Sequence, residues 1–361
     1  MSSIKILVDG HVISGYGQGI KTYIIGLYNE LSYRPNVRII MAVEDIDLAR
    51  SIFAKNIELV PLKKRNKWVR LLWELPKISY QYKPDYVHFQ YVLSPLVKGK
   101  KIVTVHDILC ISFWRDFPLR LVLIRSVSFF LSARLADTLI TDSEYSKGEI
   151  ARWFRIDRAD IYNIPLGVNF NKSEVTNGLE NQRRNVPYIL YVSRIERRKN
   201  HHLLIEAYFR SEIHKEMNLV FVGKEALKYP QLEKSMETLN NADRSKISFM
   251  SDVSNEDLIS LYSNAELFVF PSLSEGFGIP PLEAASFAIP VICSNSTSLS
   301  EYTFFGDDHI NTSAQEQLIE RLNLFSETRS VSYDLSEVQE VVSKKYSWES
   351  HVDKFLSILK S

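Results

Sequence analysis

The chain has 361 residues, is 45% hydrophobic, and carries 44 Lys and Arg against 43 Asp and Glu, for a net charge of +1. That length and apolar content suit two buried cores and exclude a disordered or fibrous chain, while the balanced charge excludes a uniformly basic nucleic-acid binder. Two cysteines, Cys110 and Cys293, stand on separate apolar stretches. They point away from a disulfide and toward a reducing compartment, and no zinc-ligand spacing accompanies them. Lys5 and Asp9 bracket only a few apolar residues and Arg125 interrupts the longest apolar stretch, so neither a signal peptide nor a membrane span is read. The expected location is cytoplasmic.

In chain order, short apolar runs at 4–8, 37–42, 86–89, 102–105 and 138–141 alternate with helical patterns near 20–32, 48–54, 69–80 and 145–153. Alternating strands and helices predict a parallel, doubly wound, Rossmann-like domain over 1–170. Residues 171–186 are polar and poor in apolar periodicity, which reads as a linker. A second set of runs at 188–192, 219–222, 247–250, 267–270 and 291–293 alternates with helices near 201–209, 230–239, 255–262 and 281–287, and predicts a second Rossmann-like domain over 187–344. The final segment, 345–361, holds Val352, Phe355, Leu356 and Leu359 at helical spacing and is an amphipathic helix.

Within the second set, the strand at 267–270 stops at Pro271, and Gly276 and Gly278 then let the backbone approach a ligand. Pro280 and Pro281 are tolerated only in the first turn of the helix that follows, so the amides of Phe277, Gly278 and Ile279 can meet an anion. Glu275 and Glu283 flank that turn; carboxylates there accept hydrogen bonds from the vicinal hydroxyls of a sugar or a ribose. The alternative is a plain strand–loop–helix with two solvated glutamates. Arg194 and Lys199 follow the strand at 188–192, at the sheet edge where parallel sheets bind ligands, and suit a diphosphate leaving group. Arg197 and Arg198 beside them read as a wet basic surface.

In the first set, the glycine cluster at 15–20 follows a strand without making a full dinucleotide fingerprint; it reads either as a phosphate-approaching turn or as an ordinary loop. His106 stands just past the run at 102–105, where an imidazole can orient a sugar hydroxyl, and Asp107 beside it either contacts an acceptor or caps the next turn. His11, His88, His201 and His202 are lesser candidates. Asp45 and Asp47 fit a metal-binding DxD of single-domain transferases, but acids at a helix start explain them better. Residues 1–165 carry 24 cations against 16 acids, leaving 20 against 27 in the remainder. Segment 63–73 concentrates Lys63, Lys64, Arg65, Lys67 and Arg70 with Trp68 and Trp73; it reads as an anionic-membrane contact or as a core helix with a basic entry loop.

These pieces together resemble the family 4 glycosyltransferases: Gly17 to Ile20, Pro84 to Phe89, Val105-His106-Asp107, Ile164 to Asn169, Arg194 with Lys199, Val222-Gly223, Ser274 to Ala284, and a terminal helix bearing Trp348. The resemblance implies an α/β protein of GT-B architecture, with two Rossmann-like domains facing a cleft and the C-terminal helix crossing back to the first. It implies a retaining, metal-independent transferase that moves a hexose from a UDP- or GDP-sugar to a hydroxyl of a glycan or lipid-linked acceptor in surface polysaccharide assembly. By position it gives Glu275 the donor sugar hydroxyls, Glu283 the ribose, Arg194 and Lys199 the diphosphate, and His106 a place at the reacting sugar. Gly19 and Gly223 join the donor site, as does Val253 near the base, although Ser251 stands where a glycine is common. The retaining step then needs no protein nucleophile, because the leaving phosphate takes the acceptor proton. No cofactor is expected beyond the donor, and no nucleic acid. A nucleotide-sugar epimerase or phosphorylase on the same fold, or a non-catalytic donor-binding subunit, are the other classes the motifs allow.

Overall fold

The computed structural model describes residues 3–15, 18–63, 66–168, 186–225 and 229–360. The chain divides into two units: residues 1–167 joined by 346–361, and residues 168–345. The expected linker, apart from Val186, lies outside the described residues. Among the described residues no helix is long and apolar enough to cross a membrane.

The first unit is built on seven parallel strands, β1 (Ile4–Asp9), β2 (Val37–Val43), β3 (Glu58–Pro61), β4 (Tyr86–Gln90), β5 (Lys100–Thr104), β6 (Thr138–Thr141) and β7 (Ile161–Asn163). Their order in the sheet is β3-β2-β1-β4-β5-β6-β7. The central strands are apolar on both faces because helices cover both, and Leu7, Val87 and Val103 are fully buried. The chain order reverses between β1 and β4, and ligands of such sheets bind beyond the carboxyl ends of the strands at that switch. The sequence reading lacks β3 and β7, short edge strands without long apolar runs.

The C-terminal helix Trp348–Lys360 belongs to this first unit and packs on the helix Gln18–Ser32. The Trp348 indole occupies space that side chains at Gly26 and Gly167 would need: a Cβ on Gly26 would lie 2.0 Å from the ring, and one on Gly167 2.7 Å. Farther along, Phe355 stacks on the buried His88 at 5.7 Å, and Arg34 donates to Asp353 at 2.9 Å.

The second unit carries six parallel strands, β8 (Tyr188–Val192), β9 (Asn218–Val222), β10 (Ile247–Met250), β11 (Leu267–Phe270), β12 (Val291–Ser294) and β13 (His309–Ile310), in the order β10-β9-β8-β11-β12-β13. This is the Rossmann strand order, with its switch between β8 and β11. The structure adds β13 and the helices Gln315–Thr328 and Leu335–Lys345 to the expected elements. Cys110 and Cys293 are both free and buried.

Segment 63–73 divides its residues between surface and core. Asn66 caps a helix from Lys67, its side chain accepting from the Trp68 and Val69 amides at 2.9 and 3.2 Å, and Arg70–Glu74 then winds as one π-helical turn. Leu71 is buried while Trp68 and Trp73 are exposed. Arg70 corrects the reading of five surface cations: it is buried, with Nε 3.3 Å from Asp9 Oδ2. Lys64 and Arg65 lie outside the described residues.

Candidate active site

The strand switch of the second sheet brings two loops together. The loop after β8 carries Arg194 to Lys199, and the loop after β11 carries Pro271 to Gly278; β8 and β11 are hydrogen-bonded neighbours. Lys199 donates from Nζ to Glu275 Oε1, and both side chains are buried. Arg198 reaches the same carboxylate, with Nη1 3.5 Å from Glu275 Oε2 and 2.7 Å from the Ser274 carbonyl, while its Nη2 lies 2.6 Å from Glu196. Arg198 is therefore a largely buried member of the cluster and not a wet surface residue. Its sequence signal was its place one residue before Lys199. Arg194 is exposed, with its guanidinium 3.6 Å from Glu196.

The electrostatics follow from burial opposed by pairing. Burial raises the Glu275 carboxyl, and the Lys199 and Arg198 charges more than reverse this, so it lies below the ordinary glutamate value. Burial pulls Lys199 down to about 8 against the attraction of Glu275, which leaves the ammonium charged at neutral pH. Arg194, Arg198 and Lys199 face Glu196 and Glu275, an excess of one positive charge.

The glycine loop is fastened from behind. Ser298 Oγ donates to the carbonyls of Glu275 and Phe277 at 2.9 and 3.0 Å, and Tyr302 OH donates to those of Phe277 and Gly278 at 2.9 and 3.2 Å. Thr297 Oγ1 accepts from the Glu275 amide at 2.8 Å. With its carbonyls held, the loop enters the helix Ile279–Ser286 through Gly278 at φ 92°, where a Cβ would lie 2.4 Å from Leu299. Only glycine takes that turn without strain. Ile279 begins the helix, and the first-turn amides of any helix lack intrahelical acceptors. Ser298, Tyr302 and Thr297, more than twenty residues downstream, carry no motif that sequence reasoning could use.

Glu283 sits inside this helix and accepts from Tyr262 OH at 2.8 Å. Burial pushes its carboxyl up to about 7, and the phenol bond lowers it only in part. Gly223, at the end of β9, has φ 151° and a Cβ there would fall 1.9 Å from the Ser193 carbonyl, so this glycine is required by the backbone itself. Val253 follows β10, half-buried, and the turn before it is made by Asp252 at φ 56°, paired with Lys224. An aspartate in the left-handed region thus takes the place of a glycine turn.

In the first unit His106 is buried beyond β5. Its Nδ1 lies 2.6 Å from Asp142 Oδ2 and its Nε2 2.7 Å from Gln90 Oε1. Gln90 ends β4 and Asp142 follows β6, so three successive strand ends converge; neither partner was singled out from sequence. Burial raises the Asp142 carboxyl above its usual range, against the pull of His106. Asp107 Oδ1 accepts from the Leu109 amide at 2.9 Å, at the start of the short helix Leu109–Ser112, and its Oδ2 accepts from Tyr91 OH at 3.3 Å. Gly19 lies in the first turn of the helix Gln18–Ser32, exposed, and a Cβ there would meet nothing within 4 Å. His88 and His201 are structural: burial pulls both down to about 3, and His88 bridges Tyr28 and Thr104 at 2.5 and 2.8 Å. Asp45 caps the helix Ile46–Ile52, accepting from the Leu48 amide at 2.9 Å. No group of three or more metal-ligating side chains occurs among the described residues.

Two parallel α/β units, the second with a basic, glycine-turned strand switch, define the protein as one of GT-B fold. Solved structures agree: a glycosyltransferase from Rickettsia africae superposes with a TM-score of 0.74 at 19% identity over 100% of this chain and 98% of that one. An Anabaena HepE structure in complex with UDP-glucose gives 0.73 at 15% identity, covering 99% of each. Residues 179–359 match Glycosyl transferases group 1 and residues 17–172 match Glycosyltransferase Family 4, and the chain belongs to this glycosyltransferase family. An O-antigen chain mannosyltransferase B of Escherichia coli is 31% identical over 210 residues, 56% of this chain and 55% of that protein. The O-antigen chain mannosyltransferase RfbU of Salmonella typhimurium is 30% identical over 217 residues, 60% and 58% respectively. The chain thus spans a little over half the length of each of these relatives.

Proposed function

We propose that the protein is a retaining glycosyltransferase that moves a hexose from a nucleotide diphosphate sugar to a hydroxyl of a growing surface glycan or a lipid-linked oligosaccharide. The observation that carries this reading is the buried Lys199–Glu275–Arg198 cluster at the strand switch, beside a glycine loop whose carbonyls are already bonded. Lys199 and Arg194, with the amides at 277–279, stabilise the departing diphosphate, and Glu275 and Glu283 accept hydrogen bonds from sugar and ribose hydroxyls. The C1–phosphate bond breaks as the acceptor oxygen bonds C1 on the same face, and the acceptor proton passes to the departing phosphate oxygen. His106 is assigned to a hydroxyl of the transferred sugar, oriented by Asp142. No metal is required in this scheme, because fixed cations perform the charge stabilisation. The mannosyltransferase relatives favour mannose as the hexose, and segment 63–73 suits an acceptor held at an anionic membrane. Product analysis with GDP-mannose, UDP-glucose and UDP-N-acetylhexosamine over a panel of acceptors tests the reading. Transfer with retained anomeric configuration from one donor is expected, and hydrolysis or epimerisation alone would overturn it.

A further inference from the structure

Helix Leu119–Leu135 inverts the ordinary pattern of a surface helix. Its inward stripe is narrow, with Val122, Phe129, Ser132 and Ala133 buried. The opposite face carries Leu119, Leu123, Ile124, Val127, Leu131 and Leu135, each 50 to 61% exposed. At about 100° per residue these six share one arc of roughly 160°, where a surface helix normally turns charge to water. Its charged residues are Arg120, Arg125 and Arg134, and no acid occurs between Asp116 and Asp137. Arg134 covers the Phe130 ring at 5.6 Å while donating to the carbonyls of Phe154 and Arg155. The segment of Trp68 and Trp73 shares its footing with the helix: Leu71 of that segment and Phe129 and Ala133 of the helix belong to one buried apolar cluster. Both tryptophans are more than half exposed.

We infer that this outer face is an interfacial anchor, lying in the plane of an anionic bilayer with Trp68 and Trp73 seated at the headgroups next to it. Seventeen residues extend about 25 Å, short of a hydrocarbon core, and three arginines keep the helix at the surface. An apolar arc that holds Arg120 and Arg134 among its exposed apolar residues and is free of acids matches anionic headgroups over acyl chains. A second copy is a poor occupant, because facing helices would bring Arg120 and Arg134 of both copies together with no carboxylate between them. The anchor deepens the membrane contact proposed for segment 63–73, giving the lysines there a steering role and the helix the insertion. It stands independently of the donor chemistry.

Sedimentation of the full chain with phosphatidylcholine vesicles, with and without about a third phosphatidylglycerol, tests the anchor. The wild type is expected to pellet with the anionic vesicles. Leu123→Ser/Val127→Ser/Leu131→Ser should weaken vesicle affinity at least about tenfold at any salt concentration. Val127→Glu alone should act in the same direction. Lys63→Ser/Lys67→Ser should weaken binding mainly at low salt. Because the substituted helix residues face outward, the thermal midpoint and transfer to a water-soluble acceptor should be unchanged. Wild-type pelleting by both helix variants would overturn the anchor. So would light scattering that finds a lipid-free dimer split by the triple substitution, since the face would then bind a second copy. Failure of transfer to any acceptor, with vesicle binding intact, would instead sink the transferase reading.

Discussion

Lys199 and Glu275, 76 residues apart in the chain, meet as a buried ion pair at the point where the second sheet reverses its strand order. Each is positioned by a loop that leaves one of two adjacent parallel strands, so the pair is a product of sheet topology. Glu275→Gln leaves Lys199 buried without its counter-charge, and breaking a buried pair in this way costs about 3 to 5 kcal/mol. Turnover should fall at least about tenfold beyond any loss of folded protein, because the charged acceptor proposed for the sugar hydroxyls is gone. The double variant Lys199→Met/Glu275→Gln separates the two effects. It should regain most of the thermal midpoint and none of the turnover; recovery of both would remove the pair from the active site.

Glu283 provides a pH signature. With its carboxyl at about 7, it is largely protonated at pH 6 and ionised at pH 8, and the ionised form is the stronger acceptor for a ribose diol. Affinity for a nucleotide diphosphate sugar should therefore rise with pH, with a midpoint near 7, and Glu283→Gln should flatten the profile. Tyr262→Phe removes a bond that lowers this carboxyl and should move the midpoint upward. The stability effect has the opposite sign. The folded chain binds more protons than the unfolded one between the ordinary glutamate value of 4.5 and about 7, so this group's contribution is full below that window and lost across it. Titration by calorimetry reads both; a pH-independent affinity would exclude Glu283 from the ribose.

The proposed use of Arg194 and Lys199 in place of a metal predicts activity in excess chelator. Arg194→Ala should reduce turnover severely, whereas Asp45→Ala should leave it unchanged while costing about 0.5 to 2 kcal/mol of stability as a lost helix cap. Metal-reversible loss of activity in chelator would reject the scheme.

Three glycines should respond differently to the same change. Gly278→Ala and Gly223→Ala place a Cβ 2.4 Å from Leu299 and 1.9 Å from the Ser193 carbonyl, at φ 92° and 151°, and should lower the thermal midpoint as well as activity. Gly19→Ala meets no atom of the chain within 4 Å and lies in a helix, where alanine is favoured by up to about 1 kcal/mol. Its midpoint should hold or rise. A fall in donor affinity or turnover in that variant alone would mark the open space at Gly19 as ligand space; unchanged kinetics would assign it to solvent.

Much of the architecture is legible in the amino-acid order, for a physical reason. Strands buried on both faces need unbroken apolar runs, so β1, β2, β4, β5, β8, β9, β11 and β12 stand out, and the glycines and prolines at 276–281 mark a turn into a helix that few other residues could make. Of the four edge strands only β10 stands out; β3, β7 and β13 escape notice because their runs are short: β13 is two residues long, and the residues of β3 are nowhere fully buried. Glu275, Glu283 and Lys199 stand out in the sequence because they flank a glycine turn or follow a strand end, the edge at which sheets of this kind bind ligands.

What the tertiary structure alone decided is which polar groups face each other. Arg70 and Arg198 look like members of basic surface runs, yet one turns inward to Asp9 and the other to Glu196 and the Ser274 carbonyl. His106 meets Asp142 and Gln90, residues 36 and 16 positions away, only because β4, β5 and β6 lie side by side with their carboxyl ends aligned. Local order sets periodicity, caps and turns, whose partners lie within a few residues. The pairing of buried charges depends on strand register and on which helix covers which face, and those are settled by burying the apolar runs of the whole chain together.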